Sequence, residues 1–201
     1  MKYYKVLGKD GAACHGGHGE WNLPRGNKPG KWMPKIKDIE PCERGYHLCE
    51  AGDLLEWLNE EIYEAEGRGK SIRDGNKTVF EQARLIRKLE WNERTARLFA
   101  CECAERVLPI FEKHCPNDDR PHKAIEAARR FTNGEISQEE LAAARAAARA
   151  DAAWDAVRAA ARAAAWAAAR AAAWDAASSA AWAAEKKWQT ERLFEVLGSK
   201  E

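Results

Sequence analysis

The chain has 201 residues, 45% of them apolar and nine of them Trp, which is enough for one generous domain or two small ones with a real core and excludes disorder throughout. Thirty-three basic against thirty-two acidic side chains leave a net charge of +1, which excludes a global electrostatic pull toward extended nucleic acid or an anionic membrane. No run approaches the roughly 20 apolar residues of a spanning helix, and the Met1-Lys2-Tyr3-Tyr4 start has no signal-peptide core. The chain therefore reads as cytoplasmic, and its six Cys read as thiols or metal ligands before disulfides.

Taken in order, residues 1–90 hold nearly all the Gly and most of the Pro, with β-like runs at Tyr3–Leu7, Ile62–Glu66 and Val79–Leu89 and an amphipathic helical pattern from Leu54 to Glu61. The stretch from Gly11 to Arg44 is dense in Gly, Pro, Lys and Trp, which predicts irregular loops pinned by Trp21 and Trp32. This part is expected to be a small α+β module.

From Asn92 the period changes. Thr95, Leu98, Phe99, Cys103, Val107, Ile110 and Phe111 recur at three- and four-residue intervals, the pattern of a helix with one buried face, with Pro109 expected to kink or split it. Asp118-Asp119-Arg120-Pro121 is a start signal for a helix ending near Phe131, before Asn133-Gly134. Ser137 with Glu140 three residues on is a capping box. After Ser137 neither Gly nor Pro occurs until Gly198, and Ala dominates, so helix is nearly forced. A single helix of about 60 residues would span roughly 90 Å. Two or three folded-back helices are expected instead, with turns near Ala150-Asp151 and Ser178-Ser179. The fold class is thus α+β: a small α+β domain over 1–90 and an all-α, Ala-rich helical bundle over 91–201.

A four-residue ladder runs through the Ala tract: Trp154, Arg158, Arg162, Trp166, Arg170, Trp174, Ser178, Trp182. Four residues turn a helix by about 400°, so each Trp stands one turn from an Arg, within reach of stacking or cation–π contact. One reading places Trp in the interior and lets Arg snorkel or pair with Asp151, Asp155 and Asp175. The other makes Trp154, Trp166, Trp174, Arg158, Arg162 and Arg170, joined by Arg120, a binding site for a small anionic nucleotide-like ligand, guanidinium on phosphate and indole on base. A second cluster, Cys14, His15, His18, Cys42, His47 and Cys49, has the residue types of a zinc site but not its tight Cys-x-x-Cys spacing. Separately buried thiols and hydrogen-bonded His are the competing reading, and no metal or other cofactor is assigned. Neither a phosphate-binding Gly loop, a nucleophile elbow, a His-Glu-x-x-His motif nor an EF-hand loop occurs, so no catalytic residue is assigned and the chain is expected not to be an enzyme. Ala-rich helices with surplus Trp favour a homodimer.

The blocks Ala96–Pro109, Asp118–Pro121 with Ala124–Arg130, and Gly134–Ser137, followed by the Ala/Trp/Arg tract, resemble a family of immunity proteins of bacterial polymorphic-toxin systems, all-helical and Ala-rich. Gly30-Lys31-Trp32, Pro41-Cys42 with Gly45–Cys49, and Ile62–Glu66 resemble a module common in phage proteins of unknown function. The resemblances imply a non-catalytic neutralising protein of phage and bacterial conflict, without a site to carry over. Its first form here is an anti-defence sponge that sequesters a nucleotide-type immune signal. The alternatives are an immunity protein that inhibits a protein toxin by direct binding, and a metal-dependent enzyme using the first-domain Cys/His cluster.

Overall fold

The computed structural model describes residues 2–149 and 172–198, with side chains described for 2–113, 115–147 and 181–198. Two compact units divide it: Met1–Thr95 together with Gln189–Glu201, and Ala96–Trp188.

The first unit is built on four antiparallel strands, β1 (Tyr3–Leu7), β2 (Tyr46–Leu48), β3 (Glu61–Asp74) and β4 (Lys77–Lys88), in the order β1-β3-β4-β2. β3 and β4 form a long hairpin whose Gly75-Asn76 turn needs a positive φ at its first central residue, and Gly75 supplies +55°. The outer strands do not stay open. Tyr4 and Cys49, the residue after β2, exchange backbone hydrogen bonds of 2.8 and 3.0 Å, so the two outer strands meet and the sheet curls toward a closed barrel. The rest of β4's outer edge is covered by residues 30–36, where the N–H groups of Gly30, Met33 and Ile36 donate to the carbonyls of Leu85, Ala83 and Glu81. Covering the edge removes a pairing template that would otherwise invite aggregation.

Alternation along these strands sends Leu7, Leu48, Tyr63, Ala65, Phe80 and Leu85 into one core with Trp21. Trp21 meets Tyr46 edge-on at 5.5 Å, whereas Trp32 lies between the guanidinium groups of Arg68 and Arg84 at 3.9 and 4.7 Å. The helical pattern expected over Leu54–Glu61 is instead a 3-10 helix, Ala51–Glu56. It stops because Trp57 is tied by its indole N–H to the Asn76 carbonyl, and Glu61 is drawn into β3 opposite Leu7. The last ten described residues also belong to this unit: Thr190, Leu193, Phe194 and Leu197, spaced as one helical face, are all buried, with the Phe194 ring 5.2 Å from that of Tyr4.

The second unit is helical, with α1 (Glu93–His114), α2 (Arg120–Thr132), α3 (Gln138–Arg149) and α4 (Ala172–Val196) supplying it up to Trp188. Local signals start α1, α2 and α3. Asn92 and Thr95 bond reciprocally at the head of α1. Asp118, one residue before the N-cap, takes the Arg120 N–H at 3.1 Å, and Ser137 and Glu140 form the anticipated capping box at 3.2 and 2.8 Å. α1 runs straight through Pro109 in one element. α4 likewise runs unbroken through Ser178-Ser179, where a turn was expected: with Ala on either side and no Gly or Pro, two Ser cost too little helix propensity to end it. Ala150-Asp151 lies outside the described residues.

Among the described residues of this unit few side chains are fully buried. Phe99, Cys101 and Leu141 are buried, while α2 buries no residue fully and is held by Arg129 on Glu105 (2.7 and 2.6 Å) and Arg97 over Phe131 (4.6 Å). The stripe assigned to the core of α1 holds at Phe99 but fails at Val107 and Ile110, which are 45% and 64% exposed.

Candidate functional site

Two places in the described structure bring chemistry together. The first is a cavity of about 600 Å³ in the sheet unit, in the size range of small-molecule sites. Its walls come from β1, β2 with the flanking residues 42–45 and Cys49, the loop Cys14–Gly19, and the side chains of Trp21, Trp57 and Lys77, so that the Cys and His residues of the sequence cluster share them with Lys5. The loop is held by Ala13 N–H on the Gly19 carbonyl and by the edge-on contact of His15 with Trp57 at 5.4 Å.

Four of the six side chains of that cluster bond the backbone. His47 Nε2 accepts the Cys42 N–H at 2.9 Å, which leaves it no lone pair for a metal, and a His15 ring nitrogen bonds the Trp57 carbonyl at 2.8 Å. The Cys14 thiol donates to the Val6 carbonyl and the Cys49 thiol to that of Tyr4. Among the described residues no group of three His, Cys, Asp or Glu side chains is placed to hold a metal ion, and the six cysteines are free. So Cys14, His18, Cys42, His47 and Cys49 share a cavity wall rather than a coordination sphere.

Burial governs the acid–base character of this wall. It pushes the Cys49 thiol up to about 12 and raises Cys14, and it lowers His47, with Lys5 adding to the effect. Since the thiolate is the reactive species, iodoacetamide at pH 8 is expected to label exposed Cys42 at least about a hundredfold faster than Cys49 in the folded protein. Peptide mass spectrometry of a labelling time course checks this. Equal rates, without prior unfolding, would contradict the burial of Cys49.

The second place is the surface of α1 and α4 within the helical unit. Arg106 of α1 donates to Glu185 at 2.7 Å and lies 4.3 Å above the Trp188 ring of α4, a combined ion pair and cation–π contact. Ile110 stands one turn beyond Arg106, and Trp182 one turn before Glu185. Both are solvent-facing, at 64% and 73% exposure, and Val107, three residues before Ile110 on α1, is exposed as well. The sequence had no signal for this: a helical apolar period looks the same whether its far end is buried or not.

The ladder residues Trp154, Arg158, Arg162, Trp166 and Arg170 lie outside the described residues, and Trp174 is placed only as a backbone position in α4. Arg120 forms a two-pronged ion pair with Asp118 (2.8 and 2.6 Å), which holds that carboxylate below its usual range. Lys5 and Trp57 were not singled out by sequence reasoning, since one is an isolated Lys in a strand and the other read as part of a helix face.

Among the described residues no helix is long and apolar enough to cross a membrane. Comparison with family models matches residues 89–192 to the family described as Imm-5 like putative immunity protein. No curated protein and no solved structure matches the chain.

Proposed function

The chain belongs to the Imm-5-like immunity protein family and has a toxin-immunity role in that general sense, and on that premise we propose that it neutralises a toxin by binding it directly, without catalysis, through the exposed face of α1 and α4. The observation that carries this reading is the solvent exposure of Val107, Ile110 and Trp182 on helices of the family region. A Trp nearly three-quarters exposed, on a helix joined by the Arg106–Glu185 ion pair to one that exposes Ile and Val, is costly to leave in water, and Trp is the residue type most enriched at energetic centres of protein interfaces. Arg106 and Glu185 give the face a charged flank suited to orienting a partner.

Co-expression in bacteria with toxin domains of polymorphic-toxin systems tests it. One toxin should lose its lethality and co-elute with the chain as a stoichiometric complex. Trp182→Ala and Ile110→Asp should keep the circular dichroism of the parent yet weaken that complex about thirtyfold or more, the effect of removing an interface hot spot. Undiminished protection by the double variant would sink the reading. Release of an intact nucleotide on heating, with protection lost in Arg162→Ala, would favour sequestration of a nucleotide-type signal instead.

A further inference from the structure

The cavity of the sheet unit contains an amino group, that of Lys5, which forms no ion pair with either carboxylate of the wall, Glu20 or Glu43. Of its lining Lys and Arg side chains, Arg44 faces Glu40 at 3.9 Å and Lys77 is paired with Asp74 at 3.0 Å. Lys5 has no carboxylate partner among the described residues. Its ammonium donates to the His47 carbonyl at 3.2 Å and lies 5.0 Å from the Trp21 ring centroid, which uses one of three N–H bonds and one aromatic face. The thiols that approach it, Cys14 and Cys49, are both pushed up by burial and remain neutral, so neither serves as a counter-ion. Burial in turn lowers Lys5 itself, as expected of an ammonium taken from water without compensation.

Such a group destabilises the unliganded fold, and a bound anion would supply the counter-charge that the described residues do not. The apolar part of the wall, Val6, Ala13, Met33, Ile36 and Leu48, defines the rest of the ligand, the Glu20 and Glu43 carboxylates being exposed, and the volume of about 600 Å³ exceeds what an inorganic anion fills. We propose that this cavity binds a small organic anion, its charged head seated on Lys5 and its apolar body against Val6, Ala13, Met33, Ile36 and Leu48. The site is separate in residues and in chemistry from the helical face assigned to a toxin, so either can fail without the other.

Two fluorescent probes on the full chain test this, 8-anilinonaphthalene-1-sulfonate and N-phenyl-1-naphthylamine, which share their rings and differ in the sulfonate. The wild-type protein should bind the sulfonate saturably and at least about tenfold more tightly than the neutral probe, the usual worth of one charge-assisted contact. Lys5→Met, which keeps the length of the side chain and removes its charge, should erase that difference while raising the thermal midpoint of the unliganded protein. Ala13→Phe, which fills the cavity and leaves Lys5 in place, should lose both probes. Unchanged sulfonate affinity in Lys5→Met, equal affinity of the two probes for the wild type, or retention of both probes by Ala13→Phe would each overturn the proposal.

Discussion

Phe194→Ala is expected to cost the sheet unit about 3–5 kcal/mol. The side chain is 2% exposed and its ring meets that of Tyr4 of β1 at 5.2 Å and 58°, so truncation removes both a buried aromatic volume and a ring–ring contact. Leu193 and Leu197 are buried alongside it, and Thr190 completes the face. Four side chains from the end of the chain therefore belong to a sheet whose first strand begins at Tyr3. A chain ending at Trp188 loses all of them, and its β1 and β3 amides are expected to exchange like those of an unfolded segment. Hydrogen exchange read by peptide mass spectrometry decides the matter, since it reports each strand separately. Undiminished protection of β1 and β3 in the truncated chain would show that the sheet stands without its C-terminal cover.

What the sequence made legible was set by how local the cause was. β1 has the predicted bounds because Tyr3–Leu7 is a short run of aromatic and aliphatic residues that stops at Gly8, and the heads of α2 and α3 fall where capping residues stand. Val79–Leu89 covers nearly all of β4, whereas Ile62–Glu66 catches only the first part of β3, because Gly67-Arg68-Gly69-Lys70-Ser71 has the composition of a loop. Those glycines answer to tertiary demands that periodicity does not carry, namely a ring lying on the backbone and a register shift between Arg68 and Ser71. β2, three residues long, exists by virtue of its pairing with β4. The same limit applies to the sites. Cys14, His18, Cys42, His47 and Cys49 were recognisable as a group, and they do share a wall, yet whether their polar atoms were free or already bonded to backbone depended on folding. Lys5 drew no attention because its consequence lies in a missing partner, which no sequence pattern displays.

Gly67 gives the second large effect and a way to apportion it. β3 and β4 pair Gly67 with Ala83, and the Phe80 ring, packed edge-on at 5.1 Å with Tyr3, lies directly over the Gly67 backbone. A Cβ there would enter the ring at its Cγ side, close to the rigid root of the side chain, so the ring cannot swing clear cheaply. Gly67→Ala is therefore expected to cost about 3 kcal/mol, although Ala is ordinarily better than Gly in a strand interior. Phe80→Ala alone should cost about 3–5 kcal/mol by emptying a buried aromatic site. In the double variant the clash has no second party, so the cost of Gly67→Ala should vanish and the two effects should fall short of additivity by about 3 kcal/mol. Urea denaturation of the four proteins measures the coupling. Strict additivity would mean that Gly67 is required for its backbone freedom alone, and that the ring resting on it contributes nothing to that requirement.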